Sequence, residues 1–334
     1  MSKPTAQTAE ERLIARHFKP LATHPGAFGL NDDAAVLAPP VGCDLVLKTD
    51  GVIAGVHFFP DDPADLVAKK VLRMNLSDLA AKGAKPLGFL LAIALPQGIS
   101  EEWLASFARG LGEDAKHFGC PLLGGDTDRT PGPVSVSVTA FGAVPQGTMV
   151  RRAGATAGQC VVVSGSIGDA TLGLRLCRDP SLAHHWGLSR EEQEHLRARY
   201  LLPQPRNALA DVVRALAAAA MDVSDGLVGD LGKLCRASGV AAEIDVARVP
   251  LSPAAASALA REPALLETIL TGGDDYEILA TLPRDRVAAF RREASAVGVA
   301  VSEIGTVLAG EGGVRIIGAN GKPLALTQTS FSHF

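Results

Sequence analysis

Six short polar clusters constrain this chain more than any other feature. Each holds aspartate beside Gly, Ser, Thr or Asn at the end of an apolar segment. They are Asn31-Asp32-Asp33, Thr49-Asp50, Asn75-Leu76-Ser77-Asp78, Gly124-Gly125-Asp126-Thr127, Asp222-Val223-Ser224-Asp225-Gly226 and Gly272-Gly273-Asp274-Asp275. In α/β folds, loops at strand ends converge on the ligand crevice. Hard oxygen donors grouped without His or Cys favour Mg²⁺ over zinc or copper. Mg²⁺ held by a few carboxylates usually has phosphate oxygens completing its shell. Taken singly, each cluster also reads as turn or cap chemistry, because Asp and Asn are common in both. Asn75 and Asp78 resist that reading best. They stand at i, i+3 on the helix face that carries Val67, Val71 and Met74, where an unpaired polar group is costly.

The segments between the clusters alternate in type. Asp44–Lys48 reads as a short strand ending at Thr49-Asp50. Asp62-Pro63 opens a helix that runs to about Lys82 and stops at Gly83. Lys85–Leu95 reads as a buried strand. A second helix starts at Ser100 and carries Trp103, Phe107, Leu111 and Phe118 near helical spacing. Val134–Phe141 reads as a strand. A loop with Arg151, Arg152, Gly154 and Gly158 then marks a domain boundary, giving domains 1–148 and 149–334. In the second, strands are predicted over 159–163, 241–246, 276–282, 302–308 and 313–318. Helices are predicted over 168–178, 189–200, 206–220, 227–238, 252–260 and 284–297. The Ala-rich stretch Ala215–Ala220 falls in the third of these helices. The length of 334 residues agrees with about two domains, and the class is α/β.

Composition excludes other classes. With 32 Lys plus Arg against 36 Asp plus Glu, the net charge is −4, which does not suit duplex nucleic acid. The apolar run Leu87–Leu95 is about half the roughly 20 residues that span a bilayer. Met1–His17 has no apolar core of a secretory signal. The five cysteines are scattered with no CxxC pair, so neither a disulfide framework nor a zinc site is indicated. A cytoplasmic protein is expected, with no nucleic-acid or membrane partner. No P-loop, kinase signature set or GxGxxG after a strand occurs. Ser164–Asp169 lies between a strand and a helix and reads as a tight turn or, less well, as an anion site. His57, just past Thr49-Asp50, reads equally as a packed histidine or a substrate contact.

Together these motifs carry a resemblance. Asn-Asp-Asp-Ala-Ala, Thr-Asp followed by Gly-Val-His-Phe, Asn-Leu-Ser-Asp-Leu-Ala-Ala-Lys-Gly-Ala, Gly-Gly-Asp-Thr, Met-Asp-Val-Ser-Asp-Gly-Leu and Gly-Gly-Asp-Asp-Tyr-Glu occur in this order. The chain resembles the thiamine-monophosphate kinases of the aminoimidazole-ribonucleotide-synthetase-like superfamily over about residues 10–334. The resemblance implies ATP-dependent phosphorylation of thiamine monophosphate to thiamine pyrophosphate. It implies a two-domain α/β (α+β) fold: an N-terminal ATP- and Mg²⁺-binding domain that pairs in a homodimer, then a C-terminal α/β domain. By motif match, Asp33, Thr49, Asp50, Asp78, Asp126, Asp222 and Asp225 are the Mg²⁺ ligands. Gly125, Asp126, Arg152 and Ser224 contact ATP, while His57, Asp274 and Phe331 face thiamine monophosphate. No catalytic side chain beyond these is implied. Asn31, Lys48 and Asp274 depart from the family pattern, in place of Gly, a hydroxyl and Glu respectively. Asn tolerates left-handed backbone, so the turn at Asn31 is expected to survive. The superfamily also holds selenophosphate synthetase, the hydrogenase-maturation enzyme and aminoimidazole-ribonucleotide synthetase, which fit less well. The first two use a reactive Cys near one terminus, whereas Cys43 is the first here and the chain ends Ser332-His333-Phe334. A non-catalytic nucleotide-binding homologue is the remaining alternative.

Overall fold

The computed structural model describes residues 8–328 and 330. The chain divides into two compact units, Met1–Leu76 with Lys85–Gln146, and Ser77–Ala84 with Gly147–Phe334.

The first unit has a four-stranded sheet in the order β1 (Cys43–Ile53), β4 (Ser135–Pro145), β2 (Lys85–Pro96), β3 (Leu122–Thr130). β4 runs antiparallel to both its neighbours, and β2 and β3 are parallel. Helix α1 (Ala9–Leu13) precedes the sheet; α2 (Ala64–Ala81) and α3 (Glu101–His117) follow β1 and β2. Side chains alternate across a strand, and the sheet's two faces differ sharply. Val46 and Val52 of β1, Val136, Val138 and Ala140 of β4, and Phe89, Leu91 and Ile93 of β2 share one face and are all buried. The other face of β1 leaves Leu45, Leu47 and Ile53 exposed, Leu47 at 63%. Two helices cross where Gly110 stands, because a Cβ there would lie 2.4 Å from the Asp65 carbonyl oxygen.

The second unit has a six-stranded mixed sheet in the order β10 (Val314–Ile317), β7 (Ala241–Asp245), β9 (Val301–Leu308), β5 (Cys160–Ser164), β8 (Ile278–Leu282), β6 (Ala219–Asp222). Its central strand β5 is buried on both faces and divides two cores. Val161 and Val163 join a core with Leu172 and Leu176 of α4 (Asp169–Arg178) and Leu227, Leu231 and Leu234 of α8 (Leu227–Ser238). Cys160 and Val162 join the other, with Val213 of α7 (Ala210–Leu216), Phe290 of α11 (Val287–Ala296), and Ala80 and Ala81. The remaining helices are α5 (Leu182–His185), α6 (Arg190–Leu201), α9 (Pro253–Arg261) and α10 (Leu265–Thr271). Among the described residues no helix is long and apolar enough to cross a membrane.

Three expectations require correction. β1 does not end at Thr49-Asp50; it continues to Ile53, pairing Thr49 with Thr139 and Asp50 with Val138. The Gly124–Thr127 cluster lies inside strand β3 rather than in a loop. Glycine is disfavoured in strands except where backbones approach closely, and a Cβ on Gly125 would lie 1.8 Å from the Leu91 carbonyl oxygen. The Ala-rich helix stops at Leu216, Ala217 is extended (ψ 142°), and Ala219–Asp222 form strand β6. Ala219 and Met221 bury into one core and Ala220 into the other, so two-sided burial overrides helix propensity.

Candidate functional site

A cavity of about 900 Å³ opens in the first unit. Its floor is the less buried face of the sheet: Leu45, Leu90, Ala92, Ser137, Thr139, Phe141, Gly124 and Asp126. Its other wall is the segment before β1, with Ile14, Phe18, Leu30, Asp32 and Asp33. The cavity therefore gathers Asp33, Gly125 and Asp126, and adds Asp32 and Thr127. Its described lining holds no His, Cys, Lys or Arg.

The turn that delivers Asp33 is strained. Phe28, Gly29 and Leu30 are all left-handed, with φ of 50°, 61° and 54°. Two of them are not glycine, a cost that persists only where surroundings impose it. Asn31 itself is not left-handed; its φ is −107°. It ties the turn instead, its Nδ2 donating to the Phe28 carbonyl at 3.0 Å while its Oδ1 accepts from Lys19 Nζ at 2.6 Å. On the floor, Asp126 Oδ1 accepts its neighbour's Thr127 N–H at 3.0 Å.

Thr49 and Asp50 point to opposite faces of β1. Thr49 Oγ1 donates to the Val138 carbonyl (3.2 Å) and accepts from Thr139 Oγ1 (3.1 Å), beside the cavity floor. Asp50 lies on the helix-covered face, where Lys48 Nζ stands 3.0 Å from its Oδ2. Lys48 thus brings a cation to the carboxylate it precedes. His57 closes the turn after β1, and its half-buried ring accepts the Ile53 N–H through Nδ1 at 3.1 Å. Asn75 is fully buried; its Nδ2 donates to the Val71 carbonyl, and its Oδ1 has no hydrogen-bond partner.

The second unit builds a separate acidic cluster. Asp222 ends β6 and is 3% exposed. The loop after it is held from α8: Asp230 Oδ2 accepts the N–H groups of Ser224 and Asp225, both at 2.8 Å. Lys233 Nζ bridges Asp230 and Asp225. Burial pushes the Asp230 carboxyl up, and the Lys233 ammonium offsets part of that rise. Against this loop lies the segment 272–277. Asp274 N donates to the Ser224 carbonyl (2.9 Å), Tyr276 N to the Val223 carbonyl (2.8 Å), and Val223 N to the Glu277 carbonyl (2.8 Å). The structure therefore brings Asp222, Ser224, Asp225 and Asp274 together. Gly226, with φ 110°, allows the contact, since a Cβ there would lie 2.4 Å from the Thr271 carbonyl oxygen. Asp78, half-buried, lies in the last turn of α2, and Lys82 just past that helix donates through Nζ to the Ala220 carbonyl two residues before Asp222. Arg152 is exposed and its carbonyl accepts from Ser238 Oγ at 3.0 Å. Phe331 lies outside the described residues.

Beneath the second cluster is a charged network that sequence reasoning missed. Glu277 is fully buried and binds Arg199, Arg206 and Ser164 Oγ. Asp275, 1% exposed, accepts the Gly168 N–H at 2.8 Å and the Ala170 N–H at 3.4 Å at the start of α4. Burial pushes the Asp275 carboxyl well above the ordinary carboxylate range. The Ser164–Asp169 loop is thus a turn whose amides already hold an internal carboxylate. The available signal was the charge of Glu277 directly before the apolar run Ile278–Leu282, which forms the buried strand β8.

Comparison with known proteins shows the family. The family model for the N-terminal domain of AIR synthase related proteins matches residues 31–144, and that for the C-terminal domain matches 156–318. The thiamine-monophosphate kinase of Caulobacter vibrioides is 46% identical over 303 residues, covering 90% of this chain and 84% of that protein. The chain belongs to the thiamine-monophosphate kinase family. Among solved family members, the Stenotrophomonas maltophilia K279a thiamine-monophosphate kinase superposes with a TM-score of 0.81 at 38% identity, covering 94% and 96% of the two chains. AaThiL complexed with AMPPCP and TMP superposes with a TM-score of 0.77 at 29% identity, covering 92% and 97%. Against the thiamine-monophosphate kinase pattern, Lys48 pairs with Asp50. The shorter Asp274 carboxylate accepts from Tyr276 Oη at 3.1 Å.

Proposed function

We propose that this chain transfers a phosphoryl group from ATP to thiamine monophosphate, giving thiamine pyrophosphate and ADP. The observation that carries the reading is 46% identity to a thiamine-monophosphate kinase over 90% of the chain, joined to the acidic cavity of the first unit. The acceptor is a phosphate monoester whose second pKa is about 6, so it is largely ionised at neutral pH. It needs no general base. The ionised acceptor phosphate is itself the nucleophile, so the reading is direct in-line transfer with no phosphoenzyme.

Two polyanions must meet, and the donor set fits a hard cation. Among the described residues no three His, Cys, Asp or Glu side chains gather into a ready-made metal nest. Mg²⁺ does not need one, because it uses one or two carboxylates plus phosphate oxygens and water. Asp33 and Asp126 in the first unit, with Asp50, Asp78, Asp222, Asp225 and an oxygen of Thr49, are the residues we assign to it. When bound, Mg²⁺ neutralises the phosphates as they approach. Gly125 and Asp126 keep β3 narrow and acidic where ATP phosphates lie, and Arg152 and Ser224 contact the nucleotide. His57, Asp274 and Phe331 contact thiamine monophosphate. In this reading residues 1–148 bind ATP and dimerise, and 149–334 form the C-terminal α/β domain.

The homodimer reading rests on Leu45, Leu47 and Ile53, exposed along one face of the edge strand β1. Leu47→Glu is expected to convert a species of twice the chain mass into one of chain mass by light scattering. An unchanged mass would move the interface elsewhere.

The activity is tested by incubating the protein with ATP, Mg²⁺ and thiamine monophosphate, with free thiamine and an aminoimidazole-pathway precursor as parallel acceptors. Thiamine pyrophosphate is expected from the monophosphate alone. ATP binding without turnover on any acceptor would overturn the proposal in favour of a nucleotide-binding homologue.

A further inference from the structure

The segment 272–277 carries two backbone outliers. Asp274 and Tyr276 are both left-handed, with φ of 73° and 52°. Glycine adopts that conformation freely, and any other residue does so at a cost. Gly272 and Gly273 stand immediately before, yet the strain falls on two residues that keep side chains. Backbone bonds to Ser224 and Val223 hold both in place.

The side chains explain what the strain achieves. Asp275 turns away to the start of α4. Tyr276, only 4% exposed, instead directs its hydroxyl back onto Asp274 Oδ1 at 3.1 Å. A buried phenol with its ring fixed by packing is a rigid donor. Asp274 has a short side chain on a backbone fixed by the Ser224 carbonyl, so this donor restricts the direction of its carboxylate.

We propose that Tyr276 is a positioning residue. Its hydroxyl orients the Asp274 carboxylate toward the thiamine end of the substrate, and so contributes to recognition of the acceptor and not of the nucleotide. The inference rests on Asp274 facing thiamine monophosphate. A carboxylate suits that ligand, which offers a cationic thiazolium ring and an amino group on its pyrimidine.

A double-mutant cycle tests it, with steady-state kinetics on the wild type, Tyr276→Phe, Asp274→Asn and the double variant, varying each substrate in turn. A hydroxyl acting through Asp274 predicts that Tyr276→Phe raises KM for thiamine monophosphate about tenfold, the scale of one hydrogen bond to a charged group. KM for ATP is expected to stay within about twofold, and kcat likewise, as for a lost binding interaction. In the Asp274→Asn background the group that the hydroxyl orients has lost its charge, so the same change is expected to add little and the two effects are not additive. Full additivity, or equal rises in both KM values, would mark Tyr276 as merely structural and overturn the proposal. If Asp274→Asn raises KM for thiamine monophosphate while Tyr276→Phe is silent, the proposal fails and the substrate reading of Asp274 stands. If Asp274→Asn leaves that KM unchanged, both fall.

Discussion

Asp126→Asn is expected to lower kcat by about a hundredfold or more, the scale seen when a group that stabilises transition-state charge is removed, with thermal stability unchanged. The side chain is exposed on the cavity floor, and among the described residues its one hydrogen bond is to its own neighbour's N–H through Oδ1. Asparagine keeps an oxygen for that bond and nearly the same volume, so the fold loses nothing. What disappears is one of the carboxylate charges assigned to Mg²⁺. Asp32→Asn serves as the control, because Asp32 lines the same cavity and is not among the assigned ligands. It is expected to stay within about threefold of wild type, whereas a group holding the reacting phosphates should not. Kinetics at saturating ATP and Mg²⁺, with melting curves on both variants, check this. Asp126→Asn within about threefold of wild type would remove Asp126 from the phosphate-binding set.

The acidic clusters were legible in sequence because their residue types are rare inside apolar segments. What sequence could not give was their setting. Thr49 and Asp50 read as one motif, yet strand β1 continues through them and sends their side chains to opposite faces. A period of two separates adjacent residues wherever a strand persists, and nothing local announced that it would persist to Ile53. Gly124-Gly125 read as the polar end of an apolar segment. Only the approach of Leu91 on the neighbouring strand shows why glycine is required. Lys48 and Lys233 were likewise opaque. Each lies on a carboxylate assigned to Mg²⁺, Lys48 two residues away on one strand face and Lys233 across a loop and two helical turns. The first follows from strand alternation once the strand is known. The second needs Asp230 to fold the loop back first.

Glu277→Ala is expected to destabilise the second unit by about 3–5 kcal/mol, the cost of leaving buried charge without its partner. The carboxylate is fully buried and serves Arg199 (Nη2 at 2.9 Å), Arg206 and Ser164 Oγ (2.6 Å). Burial works against the Arg206 charge, yet the Glu277 carboxylate outweighs it and pushes the guanidinium pKa up. Truncation strands both guanidiniums, Arg199 with a side chain 9% exposed, and Ser164 loses an acceptor while still receiving the Ile278 N–H. At about 2–4 °C per kcal/mol for a unit of this size, the melting temperature should fall by about 10 °C. Glu277→Gln separates charge from packing: it fills the same space and keeps an acceptor for Ser164. If charge dominates, Gln recovers less than half of the loss; if packing dominates, it recovers most of it. Either way the effect reaches the site, because Glu277 also accepts the Val223 N–H through its carbonyl, and Val223 lies between Asp222 and Ser224. A melting temperature within about 2 °C of wild type for Glu277→Ala would show that the two arginines relax to solvent, and that the network contributes little to the fold it underlies.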